Sequence, residues 1–258
     1  MRPMSVKTLL DLSGRVALVT GGSRGLGLQV AEALGEMGAK LAISARKKDE
    51  LDQAVAHLGG SASAFVADIG KRETIAPLAD AVLKRFGKVD ILVNNAGATW
   101  GAPAEQHPLE AWDKLVSVNL SGAFALTQLI ARNSMIPARW GRIINVASIA
   151  GLMGQDPRFA ATAAYTATKH GLVGLTRQLA AEWGVHGITV NAICPGFFPS
   201  KMTRATLDSA GALIKEWTPT RRFGGDEDLK GLAVLLASEA SRHITGQAIA
   251  VDGGASVI

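Results

Sequence analysis

Seven short apolar segments recur along the chain, with amphipathic stretches between them. The segments span residues 16–20, 41–44, 64–66, 91–93, 143–146, 189–193 and 248–251. Because they lack polar alternation, each predicts a strand buried on both faces, as in a parallel sheet. Strand and helix alternate throughout, so we predict an α/β fold with a doubly wound parallel sheet flanked by helices.

The chain has 258 residues, which suits a single domain over residues 1–258. Residues 197–225 fit the alternation poorly, being rich in proline, threonine, arginine and aromatic residues. Long loops in compact domains are usually functional. We therefore predict a substrate loop or lid there, with a short helix.

Composition excludes several classes of protein. The excess of 27 Lys+Arg over 22 Asp+Glu is small and scattered, which is not a nucleic-acid footprint. Cys194 is the only cysteine and the five histidines show no ligand spacing, so we expect neither an intrachain disulfide nor a metal site. No apolar run approaches the roughly 20 residues of a membrane span, and no signal peptide is evident. The expectation is a cytoplasmic protein without membrane partners.

A glycine-rich turn follows the first predicted strand and precedes an amphipathic helix. It reads Thr20-Gly-Gly-Ser-Arg-Gly-Leu-Gly27. Glycines at such a turn let the backbone approach a pyrophosphate, whose charge the helix N-terminus favours. The predicted dinucleotide contacts are Gly21, Ser23, Arg24, Gly25, Leu26 and Gly27.

The residues after the second strand indicate which dinucleotide binds. NAD-binding domains usually place an acid there for the ribose 2′-hydroxyl. This chain has Arg46-Lys47-Lys48 and no acid before Asp49. Arg46, with Arg24 and Lys47, is suited to a 2′-phosphate, so we predict NADP(H), with NAD(H) as the alternative. The same basic run is also compatible with a solvated helix start.

The only tyrosine, Tyr165, stands four residues before Lys169. On a helix these positions share a face, so the phenol and the ammonium can point into one cleft. A nearby cation favours the phenolate, which would suit Tyr165 for proton transfer near neutral pH. Taken alone, the pair is equally compatible with a packed tyrosine beside a solvated lysine.

Together these motifs resemble the short-chain dehydrogenase/reductase family from about Leu12 to the C-terminus. The resemblance rests on ordered motifs, which are the glycine turn, Asn94-Asn95-Ala96-Gly97, Val118-Asn119-Leu120, Ser148, Tyr165-x-x-x-Lys169, Cys194-Pro195-Gly196, Thr245-Gly246-Gln247 and Val251-Asp252-Gly253-Gly254. It implies a Rossmann-type fold and an NAD(P)-dependent oxidoreductase acting on CH–OH or C=O groups. Members of this family are usually homotetramers.

The resemblance also implies four catalytic residues. Tyr165 matches the general acid that protonates the carbonyl oxygen, and Lys169 would lower its pKa and hold the nicotinamide ribose. Ser148 would hydrogen-bond the substrate oxygen. Asn119 would anchor a water that relays protons from Lys169. In isolation, Ser148 could be a strand-end cap and Asn119 a local helix partner.

Further cofactor contacts carry over by resemblance. They are Asp68 and Ile69 at the adenine, Asn95, Ala96 and Gly97 under the ribose, and Pro195, Gly196, Phe198 and Ser200 near the nicotinamide, together with Tyr165 and Lys169. Cys194 has no paired base nearby in sequence and is expected to be buried packing.

The substrate is less well indicated. Residues 155–159 resemble a small insertion at the mouth of the site, and an apolar pocket is expected from Trp100, Met153, Phe159, Phe197, Phe198, Met202 and Trp217. Each of these side chains could instead pack in the core or at a subunit contact.

The overall pattern most resembles the 3-oxoacyl (β-ketoacyl) reductase branch, which implies NADPH-dependent reduction of a 3-oxoacyl thioester or similar apolar ketone. Arg139 fits one position that receives an acyl carrier protein, but His186 replaces the usual arginine at another, which argues against carrier docking. A sugar-acid or polyol dehydrogenase, such as a gluconate 5-dehydrogenase, is the alternative. A non-catalytic nucleotide-sensing protein is a second alternative, which the four catalytic positions disfavour.

Overall fold

The computed structural model describes residues 4–159 and 161–258, and they form one seven-stranded parallel sheet. The strand order is β3-β2-β1-β4-β5-β6-β7. The strands are β1 (Val16–Thr20), β2 (Lys40–Ala45), β3 (Ala62–Val66), β4 (Ile91–Asn94), β5 (Gly141–Val146), β6 (Ile188–Pro195) and β7 (Ala248–Val251). The order reverses between β1 and β4, as in a doubly wound sheet. The predicted Rossmann-type fold and all seven predicted strands are confirmed.

Burial on both faces is confirmed for the central strands and is wrong for the edges. Every residue of β1, β4, β5 and β6 is buried. In β3, however, Val66 is 61% exposed, and β7 is only partly buried. These two strands are the edges of the sheet, so each has only one neighbouring strand and is less covered by helices.

Ten helices cover the two faces of the sheet within the described residues. They are α1 (Val6–Leu10), α2 (Gly25–Glu36), α3 (Lys48–Leu58), α4 (Arg72–Phe86), α5 (Leu109–Val116), α6 (Gly122–Ile130), α7 (Ile136–Ala138), α8 (Ala163–Trp183), α9 (Arg204–Trp217) and α10 (Lys230–Ala237). Successive strand residues point to opposite faces. Accordingly, Val19 packs in the core that contains α2 and α10, whereas Leu18 packs in the core that contains α4, α6 and α8.

Helices α5, α6 and α7 form one continuous helix, Leu109–Ala138, whose π-helical segments are Ser117–Ser121 and Ala131–Met135. An 18-residue stretch of it has a mean hydropathy of 1.3, so by length and composition alone it could cross a membrane, and the expectation that no apolar run approaches a membrane span is wrong. Leu126 and Ile130 are fully buried against the sheet. A core helix of an α/β domain passes the same test of length and composition.

A chain of buried polar side chains ties the central strands to the helices that carry the site. Asn94 donates to Thr127 Oγ1 at 2.8 Å and to Asn145 Oδ1 at 2.9 Å. Asn145 in turn donates to Thr176 Oγ1 at 2.8 Å. Because buried hydrogen bonds hold their partners in one arrangement, this series of hydrogen bonds sets the position of α6 and α8 relative to β4 and β5.

The predicted substrate loop contains a longer helix than expected. Helix α9 occupies 14 residues of it, and Ile214 is its only fully buried residue among those described. The segment is therefore a helical excursion that lies over the domain with little core of its own.

Candidate active site

A cleft of about 480 Å³ lies at the carboxyl ends of the strands. In an open parallel sheet this is where ligands bind, beside the reversal of strand order. Most of the predicted cofactor residues line it, namely Gly21, Ser23, Arg24, Gly25, Leu26, Gly27, Arg46, Asp68, Ile69, Asn95, Ala96, Gly97, Tyr165, Lys169 and Ser200. Pro195, Gly196 and Phe198 are not among the lining residues.

The glycine turn after β1 is held in place by Asn95, which directly follows the neighbouring strand β4. Gly21 has a φ of +63°, which a residue with a side chain rarely adopts. The side-chain amide of Asn95 donates to the carbonyl oxygens of Thr20 at 3.0 Å and Gly21 at 3.1 Å. A Cβ on Gly27 would overlap that same amide and the Gly21 carbonyl. The two motifs therefore depend on each other for their shape.

The turn fits a dinucleotide pyrophosphate. Helix α2 begins at Gly25, and its N-cap residue Arg24 provides no side-chain capping bond. The first backbone N–H groups of the helix thus remain available for a phosphate. A Cβ built on Gly25 would meet no atom within 4 Å, so the approach to these N–H groups is open.

The part of the cleft beside Arg24 and Arg46 is basic but also contains the Glu50 carboxylate. Arg46 and Lys47 line it, as does Arg24. Glu50 lines it as well and lies 2.9 Å from Arg24 and 3.4 Å from Lys47. Sequence reasoning missed Glu50, because an acid in the first turn of a helix is ordinarily explained by the helix dipole.

Other lining residues were also missed. They are Ser44, Ala45, Ala67, Ala98, Lys114, Val118, Val146, Ala147, Pro199 and Lys201. Several immediately follow a predicted strand, and that position at the carboxyl edge is the signal that could have found them.

Asn119 is buried, and its side-chain amide makes three hydrogen bonds that hold the site together. It accepts from the Ala98 N–H at 2.8 Å, and it donates to the Ala98 carbonyl at 2.9 Å and to Thr168 Oγ1 at 3.0 Å. It lies in the π-helical segment, a feature frequent at functional sites. The amide therefore links the loop after β4 to helix α8.

Lys169 is 4% exposed and its ammonium donates to the Val146 carbonyl oxygen at 2.7 Å. Burial lowers the pKa of Lys169 to about 8, although the nearby Cys194 acts in the opposite direction. The nitrogen lies 5.5 Å from the centre of the Tyr165 ring. The predicted pair on one helix face is therefore present beside the cleft.

The pKa of Tyr165 differs from the expectation. Burial raises it above its ordinary value, and an interaction with the Ser148 side chain lowers it only in part. The predicted lowering of this pKa by Lys169 is not seen, and the Lys169 ammonium donates to the Val146 carbonyl oxygen. The phenol is consequently held in its protonated form.

Ser148 follows β5 and caps a short 3₁₀ turn, where its hydroxyl accepts from the Ala150 N–H at 3.1 Å. The same hydroxyl interacts with Tyr165. Ser148 therefore caps this turn, and its catalytic role stays a prediction.

Cys194 is fully buried and burial raises its pKa to about 11, which agrees with the expectation of a packing residue.

The predicted apolar pocket is mostly not formed by the expected side chains. Phe198 packs in the hydrophobic core. Phe159 lies 6.0 Å from Phe197 and 5.2 Å from Trp217, measured between ring centres, so these three rings form an aromatic cluster. Trp100 is 48% exposed. Of the seven residues, only Met202 lines the cleft, at the end of a segment whose other lining residues are Pro199, Ser200 and Lys201.

Comparison with known proteins identifies the class. Residues 15–210 match the family model of short chain dehydrogenases, so the chain belongs to the short-chain dehydrogenase/reductase family. It is an oxidoreductase that acts on CH–OH or C=O groups.

The relatives carry different substrate names. The chain is 38% identical to a gluconate 5-dehydrogenase of Gluconobacter oxydans (strain 621H), over 98% of this chain and 99% of the relative. It is 36% identical to a 3-oxoacyl-[acyl-carrier-protein] reductase of Escherichia coli (strain K12), over 95% and 98%. A gluconate 5-dehydrogenase from Burkholderia cenocepacia J2315, crystallised with NADP and tartrate, superposes with a TM-score of 0.92 at 35% identity, covering 98% and 100%.

Proposed function

We propose that the protein catalyses the NADPH-dependent reduction of a ketone to a secondary alcohol. The observation that carries this is the meeting of Tyr165, Ser148 and Lys169 beside a cleft whose other end is a phosphate-binding turn. When bound, the nicotinamide would supply the hydride. The basic residues Arg24, Arg46 and Lys47 support NADP(H) over NAD(H).

In this proposal the side chains donate one proton to the substrate's carbonyl oxygen and hold that oxygen in place. Tyr165 keeps its proton at neutral pH, because burial raises its pKa, and gives it to the oxygen that forms on the substrate. Ser148 holds that oxygen by a hydrogen bond. Lys169 supplies positive charge next to the phenolate left behind, and Asn119 keeps α8 and the loop after β4 in register.

Two substrate classes compete, and a polar oxo-acid of the sugar-acid kind is favoured. Four of the five aromatic side chains expected to form an apolar pocket are engaged with each other or with the core, and the fifth, Trp100, is 48% exposed. Lys201 lines the cleft and forms no ion pair with the described residues, so it suits a substrate carboxylate. The gluconate 5-dehydrogenase relatives agree with this choice.

A 3-oxoacyl thioester is the second candidate, supported by the 3-oxoacyl reductase relatives. Docking of an acyl carrier protein has weaker support. Arg139 donates to the Val185 carbonyl oxygen at 2.9 Å, and His186 stands where a second arginine is usual. Arg139 is therefore already engaged with the protein's own backbone.

Residues 197–225 are proposed to shape the substrate end. Phe197 and Trp217 belong to this segment, and Phe159 of the 155–159 insertion packs against both. The aromatic cluster thus fastens the insertion to the proposed loop.

A homotetramer is the proposed assembly, in the cytoplasm. The outer side of the long helix exposes Leu109, Trp112 and Phe124, which are 75%, 39% and 39% accessible. Apolar side chains on one helix side are typical of a subunit contact. Light scattering that returns the monomer mass of 26.8 kDa would reject the tetramer.

The substrate is tested with a panel of acetoacetyl thioesters, simple cyclic ketones and 5-ketogluconate, each with NADPH and with NADH. We expect 5-ketogluconate with NADPH to give the highest kcat/KM. Turnover of the thioester alone would reject the sugar-acid choice, and a preference for NADH would reject the cofactor assignment.

Catalysis itself is tested with Tyr165→Phe. Loss of the proton donor should lower kcat by roughly 10²–10⁴-fold while NADPH still binds. Thr166→Val on the same helix, whose side chain is not among those lining the cleft, is the matched control and should keep activity within about threefold. Unchanged turnover in Tyr165→Phe would reject the mechanism, and a wild type that binds NADPH but reduces no carbonyl would favour a nucleotide-sensing protein.

A further inference from the structure

Glu50 occupies an unusual position for a carboxylate, since it lines the basic end of the cofactor cleft. Its Oε1 atom lies 2.9 Å from Arg24 Nη1 and 3.4 Å from Lys47 Nζ. One oxygen thus contacts two of the three cations to which we assign the 2′-phosphate. The side chain is 22% exposed, whereas those of Arg24 and Lys47 are 49% and 58% exposed.

Arg46 differs from its two basic neighbours. It lines the same cleft, and the ion pairs among the described residues do not include it. A 2′-phosphate would therefore find Arg46 available and would have to share Arg24 and Lys47 with Glu50.

Glu50 lies in the first turn of α3, where the helix dipole favours a negative group, and it has two cationic partners. A phosphate carries about −1.5 to −2 charges at neutral pH. The carboxylate and a 2′-phosphate would repel each other within this part of the cleft.

We propose that Glu50 sets the cofactor preference of this enzyme by acting as a resident anion in the 2′-phosphate site. It holds Arg24 and Lys47 in place when the ribose carries a hydroxyl group, and it weakens binding when the ribose carries a phosphate. The enzyme consequently uses NADPH with a smaller advantage over NADH than its three cations alone would provide. This inference rests on the cofactor site proposed above.

The test uses cofactor fragments, so it does not depend on the substrate. Adenosine 2′,5′-bisphosphate carries the 2′-phosphate and AMP lacks it. Dissociation constants for both are measured by calorimetry with the purified wild type and with Glu50→Gln. We expect Glu50→Gln to bind the bisphosphate roughly fivefold more tightly, with AMP changed by less than twofold. The ratio of kcat/KM for NADPH over NADH should rise by a similar factor.

Asp52→Asn is the matched control. It removes the same charge from the same helix, but Asp52 pairs with the exposed Lys48 at 2.6 Å and is not among the cleft residues. It should change both dissociation constants by less than twofold. Glu50→Ala is a second variant that removes the charge, and it should reproduce the Glu50→Gln result.

Three outcomes would overturn the inference. The first is weaker or unchanged bisphosphate binding in both Glu50 variants, since Glu50 would then serve only to position the cations. The second is an equal gain for AMP and the bisphosphate, and the third is an equal gain in Asp52→Asn. If the wild type binds neither fragment, the cofactor site itself fails and the inference fails with it; if it binds both and the variants match it, Glu50 alone is misassigned.

Discussion

The ammonium of Lys169 donates to the carbonyl oxygen of Val146 at 2.7 Å, at the carboxyl end of β5. This bond places a buried cation beside the cleft and directs it toward the sheet. Burial lowers the pKa of Lys169 to about 8, so its charge is lost in the native protein before it is lost in the unfolded chain.

A dependence of stability on pH follows from this shift. Between about pH 8 and the ordinary lysine pKa near 10.5, the unfolded chain binds more protons at Lys169 than the native protein does. The free energy of unfolding should therefore gain about 2 kcal/mol from this residue between pH 7.5 and pH 9.5. Above about pH 10 the raised pKa of Tyr165 acts in the opposite direction, so the measurement stops below that value.

Urea unfolding of the wild type and of Lys169→Met at a series of pH values measures this contribution. Other groups titrate in both proteins, so the difference between the two curves isolates Lys169. The difference should change steadily over the interval, and parallel curves would contradict the lowered pKa.

Asn95→Ala should weaken both the fold and cofactor binding. The change leaves the carbonyl oxygens of Thr20 and Gly21 without their donor, and an unmet buried acceptor costs about 1–3 kcal/mol. The KM for NADPH should rise severalfold, since the turn loses its support. Asn133→Ala is the control, because Asn133 only accepts from the neighbouring Arg132 at 3.4 Å on the surface. An equal loss in both variants would show that the turn does not need Asn95.

Glu239→Ala should destabilise the protein without affecting turnover. Glu239 pairs with the buried Arg142 at 3.4 Å and accepts from Trp140 Nε1 at 2.6 Å. Burial lowers the pKa of Arg142 to about 10, and loss of its partner would leave a poorly compensated buried charge. Because Glu239 is one third exposed, the expected cost is about 1–3 kcal/mol in chemical denaturation.

The control for that variant is Glu182→Ala, which removes only a contact with the exposed Gln178 at 2.7 Å. It should stay within about 0.5 kcal/mol of the wild type. A large fall in kcat of Glu239→Ala would argue against its purely structural role, since β5 begins at the end of the sheet opposite the cleft.

Phe159→Ala should affect binding of the carbonyl substrate and not binding of NADPH. The ring contacts Phe197 and Trp217 but does not line the cleft. Its loss should raise the KM for the carbonyl substrate by about tenfold and leave the KM for NADPH within twofold, because the insertion is released from the proposed loop. Arg158→Ala, which removes an exposed pair with Asp156, should leave both values unchanged. Equal increases in the two KM values would contradict the assignment of residues 197–225 to the substrate.

Much of the fold could be predicted from local patterns. The seven strands were visible because apolar runs buried in a parallel sheet contrast with the amphipathic helices between them. The glycine turn was visible as well, since Gly21 and Gly27 are required by local backbone shape and close packing. The exposure of Val66 was not, because the position of a strand at an edge depends on the order of the whole sheet.

The sequence by itself determined the family and the class of reaction, and it singled out Tyr165, Lys169 and Ser148 as predicted catalytic residues, because ordered motifs are a property of the chain. Only the tertiary structure decided what surrounds them. It directs Lys169 toward Val146, raises the pKa of Tyr165, removes Phe198 from the cleft and brings Glu50 to Arg24. Each of these depends on burial or on distance between residues far apart in the chain, and neither quantity is encoded in local spacing.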